Sequence, residues 1–417
     1  MAKVVFIATA GEEVELIKPI YEMLEGKVEV LNIHTGTMCC DKGGKQAEQT
    51  LVEYGMKHKS MDSYGTNNMV DILKAEQPNM VIVGSDQEYI RRAFLYAAQG
   101  LGIQTVLLDL GFSDNITNTT GIAIKRTIFR LTNYMGNIIR KYQYLLRTVL
   151  KLKWGLPKIL RMIFNDIRIA FTVDDARGTF SSQPIVVSGI WEKKILLERG
   201  VNPENIIITG HPRWGVTQND NQKTRILKEE LGINDNGTVI LLLTCAQVEH
   251  GRWTVGMRNR FFNGVLDVVT PILGDTVKMV VKPHPTEKPD EYDALLDNNS
   301  NVILKRDLLL TDIIEASDLV LVGGYSFTVL EVAALQKPAI ILNIYDEIIG
   351  IPYVDMGLAV EVFNLNELAI MINRYLYDKD SIKSLLQKTQ AFFDENKYFA
   401  DGKAATRIAD IIMDRAK

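Results

Sequence analysis

Short apolar runs rich in Val and Ile recur along the chain, each followed by an amphipathic stretch, and no other feature limits the possible folds as strongly. The runs are Val4–Ala8, Val28–Ile33, Met80–Val83, Thr105–Leu108, Ile185–Val187, Ile206–Thr209, Val239–Leu243, Lys278–Val281, Leu319–Val322 and Ala339–Leu342. Bounded by Gly, Asp or Pro, they read as parallel strands buried on both faces. The stretches between them keep helical spacing, as in Val14, Leu16, Ile17, Ile20, Met23 and Leu24, or Val329, Val332, Ala333 and Leu335. Strand–helix alternation predicts α/β domains whose parallel sheets are covered by helices. One sheet is too few for these strands, and 417 residues suit two domains. The turn-forming stretch Gly210-His211-Pro212-Arg213-Trp214-Gly215 is the natural divide. The expected organisation is an N-terminal domain at 1–213, a C-terminal domain at 214–395, and a final helix within 396–417 returning to the first domain. Ligands of such sheets sit beyond the carboxyl ends of the strands. Two facing domains would set two such edges across a cleft.

Composition excludes several classes. A net charge of −4 gives no whole-chain preference for nucleic acid. Three cysteines, two of them the adjacent Cys39 and Cys40, make no disulfide framework, so a reducing cytoplasm is expected. The start, Met1-Ala2-Lys3, runs straight into the first strand pattern without a secretory apolar stretch, and no apolar run spans a bilayer. No metal-ligand spacing and no phosphate-loop or nucleophile-elbow motif occurs, so neither metal nor cofactor is expected.

The charge is unevenly placed. Residues 122–171 hold eleven cations against one acid, Asp166, so the segment is +10 while the rest of the chain is −14. Ile128, Leu131, Met135, Ile138, Tyr142, Leu145 and Val149 keep helical spacing, and Arg126, Arg130, Arg140, Arg147 and Lys151 fall largely on the other face. Lys141 and Lys153 extend the cationic set, and Gly155 and Pro157 break the helix before a second basic piece. A basic amphipathic helix with aromatic residues suits an anionic membrane surface. The same stripe would equally pack on the N-terminal domain, and RNA binding lacks a supporting motif.

Four constellations carry candidate chemistry. Lys282-Pro283-His284-Pro285 ends a strand, and the prolines hold His284 rigid, ready to donate to phosphate oxygens beside Lys282. After the strand Leu319–Val322, Gly323-Gly324-Tyr325-Ser326 leads into a helix with Ser326 near its start, an anion site in form. Glu331, a turn further on, is placed to take ribose hydroxyls. In the N-terminal half Asp86, Asp109 and His34 end strands and are candidate general bases. Capping is the alternative for both aspartates, and the favoured one for Glu12 and Glu13 after Gly11. Thr244, with Cys245, Ala246 and Gln247, follows the first strand of the second half, and Arg252 beyond it would pair with a diphosphate. His211 and Arg213 lie in the divide itself.

At these residues the chain resembles known families. Gln77–Asp86, Leu101–Gly111 and Arg199–Gly210 resemble the non-hydrolysing UDP-N-acetylglucosamine 2-epimerases, which have a GT-B fold. That resemblance implies an acidic pair at Asp86 and Asp109 and a phosphate-binding His284. The chain departs from the epimerases at Asp109-Leu110-Gly111, at Gly323-Gly324-Tyr325-Ser326 and at Thr244-Cys245-Ala246-Gln247. Lys282-Pro283-His284-Pro285, Gly210-His211-Pro212-Arg213 and Tyr325-Ser326 are more similar to CDP-glycerol glycerophosphotransferases and capsule-type glycosyltransferases. Those enzymes work at the cytoplasmic membrane face. The resemblance implies a peripheral GT-B transferase that takes a nucleotide-sugar or similar donor to an acceptor hydroxyl, lipid-linked acceptors included. A 2-epimerase and a non-catalytic nucleotide-sugar-binding homologue are the alternatives. A homodimer is left open.

Overall fold

The computed structural model describes all residues except 37–41, 111–119, 173–175, 181–182, 215–220, 250, 297–299, 325 and 346–350. The chain forms two compact units, Met1–Val216 with Asn396–Lys417, and Thr217–Glu395. The first holds β1 (Lys3–Ala8), β2 (Glu29–His34), β3 (His58–Ser60), β4 (Met80–Val83), β5 (Gln104–Asp109), β6 (Ile185–Val187) and β7 (Ile206–Ile208). Its helices are α1 (Gly11–Leu24), α2 (Lys42–Glu53), α3 (Met69–Glu76), α4 (Tyr89–Gly100), α5 (Thr120–Lys151), α6 (Leu156–Thr172) and α7 (Ile190–Glu198). The second holds α8 (Asn221–Glu230), β8 (Thr238–Leu243), α9 (Val255–Val269), β9 (Val277–Lys282), β10 (Val302–Leu304), α10 (Leu310–Glu315), β11 (Leu319–Val322) and α11 (Thr328–Ala334). It continues with β12 (Ala339–Leu342), β13 (Val360–Val362), α12 (Leu365–Tyr377) and α13 (Lys379–Glu395), and α14 (Ala404–Arg415) then belongs to the first unit.

Each unit has one parallel sheet, ordered β3-β2-β1-β4-β5-β6-β7 and β10-β9-β8-β11-β12-β13. Each of the ten apolar runs is a strand. The three further strands, β3, β10 and β13, are three residues long and lie at sheet edges. A half-covered edge needs no continuous apolar run, so the pattern that reveals central strands is missing there.

Both faces of the first sheet are covered, and the alternation along β1 shows it. Val5 and Ile7 join one core with residues of α3, α4, α5 and α6. Val4, Phe6 and Ala8 join the other with α1, α2 and α14. Ile408 and Ile412 of α14 are fully buried there, each stabilising by roughly 1.5–3 kcal/mol. The second unit packs β8, β9, β11 and β12 against α9 and α12 through Phe262, Val265, Leu368 and Ile372.

The cationic segment is the helix pair α5 and α6. In α5 a kink at Tyr134 (φ −133°) separates two halves. Beyond it Tyr144, Leu145 and Val149 enter the core, whereas Ile128, Met135 and Ile139 are exposed. Helix α6 buries Ile159, Met162 and Ile169, and its other side exposes Leu156, Leu160, Phe164 and Ile167. Asp166, the segment's sole acid, is buried and accepts from Arg92 of α4 (2.7 Å) and from the Tyr142 hydroxyl (2.8 Å). That buried pair fixes how α6 lies on the unit. Breaking one partner of such a pair leaves an uncompensated charge and costs about 3–5 kcal/mol.

Candidate active site

In the second unit, β9, β8 and β11 are neighbours, so the loops after them lie side by side on the carboxyl edge. These loops carry His284, Thr244 and Gly323-Gly324. Glu287, which sequence reasoning missed, organises them. Its Oε2 accepts from the His284 backbone N–H (2.8 Å) and from the Thr244 hydroxyl, and its Oε1 accepts from the Tyr292 hydroxyl (2.7 Å). Thr244 Oγ1 also receives the His284 N–H (2.9 Å). Burial, then the Glu287 charge, pushes the Tyr292 hydroxyl up, so it remains a donor. The His284 ring is oriented locally. Its Nδ1 lies 2.9 Å from Thr286 Oγ1 and accepts the Thr286 N–H at 3.3 Å. With Nδ1 accepting from the Thr286 N–H, Nε2 is the ring nitrogen left to donate. Lys282 donates to the Arg306 carbonyl (2.8 Å), and burial lowers its pKa.

After β11 the backbone closes tightly. Gly323 N–H donates to Leu243 C=O (2.8 Å), and a Cβ there would meet that oxygen at 3.2 Å. Gly324 has φ +112°, open to glycine and strained for other residues. The helix begins later than the sequence implies. It starts at Thr328, with Phe327 at the cap in αR geometry, and Ser326 Oγ accepts from the Thr328 N–H (3.3 Å) and hydroxyl (2.8 Å). Glu331 is buried in its first turn. Arg252 is exposed, and Tyr325 lies outside the described residues.

The carboxyl edge of the first sheet is built differently. Asp86 is fully buried, and its two oxygens accept the backbone N–H groups of Gly178 (2.8 Å) and Phe180 (3.0 Å). Geometry thus gives Asp86 the task of holding the 178–180 loop. The same loop delivers Arg177 to Asp109, 3.1 Å from its Oδ1. Asp109 ends β5 and is 0% exposed. His34 ends β2 almost fully buried, with neither ring nitrogen hydrogen-bonded, 5.5 Å from the His58 ring. Burial lowers its pKa, and His58 lowers it further against Glu48 and Asp62. Gly11 opens α1, where a Cβ would stand 3.0 Å from Thr50 Oγ1 of α2. Glu13 accepts from Thr9 N–H (2.7 Å) and Ala10 N–H (3.2 Å) and pairs with Arg91, so it serves its own helix start.

Beyond β7, His211 is buried and stacks on Trp214 at 3.8 Å, and Trp214 meets Phe399 at 4.8 Å. Burial, then Arg213, pulls the His211 pKa down to about 3. Gly210 (φ +87°) admits no side chain, because a Cβ would stand 1.8 Å from Tyr398 C=O. Arg213 itself pairs with Glu15 at 3.1 Å. Arg407 of α14 donates to Thr209 C=O (2.7 Å) and to both oxygens of Asp401 (2.7 and 2.8 Å), tying the C-terminal segment to this edge.

Of the cationic residues, Lys141 pairs with Glu88 (3.5 Å) and Lys151 with Asp71 (3.4 Å). Arg130, Arg140, Arg147 and Lys153 are exposed, and the Arg126 side chain is outside the description. Among the described residues no helix is long and apolar enough to cross a membrane, and no His/Cys/Asp/Glu group is placed to hold a metal. Arg177, Glu287 and Glu192 escaped sequence reasoning; Glu192 is buried in the first turn of α7, and burial pushes its carboxyl up to about 8. Glu287 stands three residues after His284, a spacing that reads as an ordinary turn, and no spacing marks Arg177 or Glu192.

Two parallel-sheet α/β domains define the GT-B class, and solved structures agree. A putative UDP-N-acetylglucosamine 2-epimerase from Listeria monocytogenes is 16% identical, with 98% of this chain and 95% of that one covered at a TM-score of 0.58. The Anabaena protein HepE, solved with UDP and glucose, is 12% identical over 99% of both chains (TM-score 0.57). A variant of the wall teichoic acid polymerase TagF is 14% identical over 100% of this chain and 89% of that one (TM-score 0.57). At these identities the likeness establishes the fold. A search of curated protein sequences finds no match. The family model for CDP-glycerol:poly(glycerophosphate) glycerophosphotransferase matches residues 184–414, more than half of the chain. The chain belongs to that family and is a transferase that uses a nucleotide-activated donor.

Proposed function

We propose that this transferase moves a glycerophosphate or sugar unit from a cytidine- or uridine-diphosphate-linked donor to an acceptor hydroxyl in cell-envelope polymer synthesis, at an anionic membrane surface. The second unit binds the donor. Nε2–H of His284 donates to a phosphate oxygen, and Thr244, Lys282, Gly324, Ser326, Glu331 and Arg252, with Tyr325 by its place in the sequence, are the further candidates for holding the donor. The observation that carries this is the Glu287 network, which holds the His284 loop while Thr286 orients the ring, as preorganised electrostatic stabilisation requires. In the reaction the acceptor oxygen forms the new bond, the bond to the departing nucleoside phosphate breaks, and Asp109 takes the hydroxyl proton. His284 offsets the charge gathering on the leaving phosphate. Asp86 holds the loop that brings Arg177 to Asp109, and His34 is a further candidate on the same edge.

Titrating the protein with CDP-glycerol, UDP-N-acetylglucosamine, and CMP- and GDP-linked sugars, with melting temperature and product as readouts, tests the reading. CDP-glycerol is expected to stabilise the protein, and His284→Ala to abolish that stabilisation. Conversion of UDP-N-acetylglucosamine to its 2-epimer without acceptor would establish the epimerase reading instead.

The membrane reading rests on α6. Leu156, Leu160, Phe164 and Ile167 form one exposed apolar stripe, and Lys153, Lys158, Arg161 and Arg168 are exposed beside it. Apolar insertion flanked by cations suits anionic headgroups, at about 1 kcal/mol per nearby cation. Flotation with phosphatidylglycerol vesicles is expected to carry the protein up, and phosphatidylcholine vesicles to leave it behind. Equal behaviour of the two, or full binding by a Leu160→Ser/Phe164→Ser variant, would remove this part.

A further inference from the structure

Arg92, on the buried face of α4, is out of place by pattern alone: a cation with no access to water. A guanidinium carries several N–H donors, and burial normally requires partners for them. Here Nη1 donates to Asp166 of α6 (2.7 Å), while Nε and Nη2 have no hydrogen-bond partner. Two aromatic rings take their place. The guanidinium carbon lies 4.2 Å from the centre of the Phe180 ring and 5.3 Å from that of Tyr89. Phe180 ends the loop that carries Arg177, three positions earlier. The backbone of that loop is tied down along its length. Ala176 N–H reaches Gln87 Oε1 (3.3 Å), the Gly178 and Phe180 N–H groups reach Asp86, and Arg177 C=O accepts from Arg199 (3.4 Å). Arg92 adds a hold on a side chain.

We propose that Arg92 is a positioning residue for the transfer: seated over Phe180, it holds the loop that presents Arg177 to Asp109. The inference rests on the reading of Asp109 as base. The guanidinium is itself fixed. Asp166 takes Nη1, the Tyr142 hydroxyl donates to the other Asp166 oxygen (2.8 Å), and the Tyr142 ring packs edge-on against Tyr89 at 4.9 Å. A cation clamped in this way gives the Phe180 ring one place to rest. Without it the 180 end of the loop loosens, and Arg177 leaves its 3.1 Å contact with Asp109 Oδ1 for part of the time. Donor binding is read onto the second unit, so the loss falls on turnover and spares donor affinity. A flat guanidinium can face a ring and pair with a carboxylate at once, which explains arginine at this position.

Hydrogen exchange of the full chain, read by mass spectrometry on peptides covering 176–180, tests the hold without any substrate. Phe180 is half-buried, and Phe180→Ala leaves the Arg92–Asp166 pair intact. Exchange of the loop in that variant is expected to quicken about tenfold, with α4 unchanged. Arg92→Met/Asp166→Asn removes the cation without stranding a charge and keeps an oxygen for Tyr142, and it should do the same. Phe180→Tyr keeps an aromatic face and should restore native exchange. Native exchange in the first two variants, or equal quickening in Phe180→Tyr, overturns the proposal. Transfer from CDP-glycerol supplies the second readout. In Phe180→Ala kcat is expected to fall about tenfold while the KM for donor holds, and Phe180→Tyr should recover it. Native kcat beside a loosened loop sinks the positioning role, as does a change confined to KM. Full activity of Asp109→Asn, with the exchange results as expected, would instead remove Asp109 as base and leave Arg92 as the holder of the loop.

Discussion

The carboxyl edges of the two sheets are constructed on opposite plans. In the second unit the polar groups around His284 consume one another, Glu287 taking the Thr244 hydroxyl, the His284 amide and the Tyr292 hydroxyl, while Glu249 Oε2 on the loop after β8 is buried without a partner. In the first unit several buried polar atoms go without. Both ring nitrogens of His34, the Ser188 hydroxyl and His211 Nδ1 have no hydrogen-bond partner. Leaving a buried polar group unsatisfied costs about 1–3 kcal/mol. A satisfied network such as that around His284 is rigid and suits the binding of a ligand of constant charge, such as a diphosphate. An edge that buries unsatisfied imidazoles beside buried carboxyls is poised to change protonation, which proton abstraction demands.

Breaking the comparison at its most reactive point is expected to have the largest effect. Asp109→Asn should lower kcat about 10²–10⁴-fold, measured as product release with saturating donor and acceptor. A drop below tenfold would move the base elsewhere on that edge. His284→Ala should follow, costing about 10²–10³-fold in kcat by removing a donor aimed at developing charge. Smaller in rate but telling in stability is Glu287→Gln. An amide places N–H against a donor, so the variant should lose about 1–3 kcal/mol of unfolding free energy in urea titration.

The pH dependence of stability sharpens the contrast within the first unit. His211, held near 3 against an ordinary 6.5, binds fewer protons folded than unfolded, so its contribution is lost as pH falls from about 6.5 toward 3. Glu192, held near 8 against 4.5, binds more protons folded, so its contribution is lost as pH rises from about 4.5 through 8. Calorimetric melting temperatures should therefore fall on both sides. His211→Phe should flatten the acid side and Glu192→Gln the alkaline side. Variants that leave either slope unchanged would assign it to other groups.

Much of the architecture was legible along the chain. Central strands such as Val4–Ala8 and Val239–Leu243 announce themselves because burial on two faces demands uninterrupted apolar residues. His284 was legible because prolines on both sides of a strand-end histidine are a local arrangement. The acid-free stretch around α5 and α6 was legible as charge. Its attachment was not, because Asp166 finds Arg92 across 74 positions.

What the amino-acid order decided by itself, then, is whatever depends on neighbours in the chain: strand periodicity, turn residues, and the segregation of charge into residues 122–171. Tertiary structure decided the rest. It made Asp86 a loop anchor and Glu287 a hub, buried Glu192 in the first turn of α7, and returned α14 to the first unit's core. A carboxylate's role follows from how much water it loses and which donors reach it. Both are set by groups brought together through space, and no spacing along the chain encodes them.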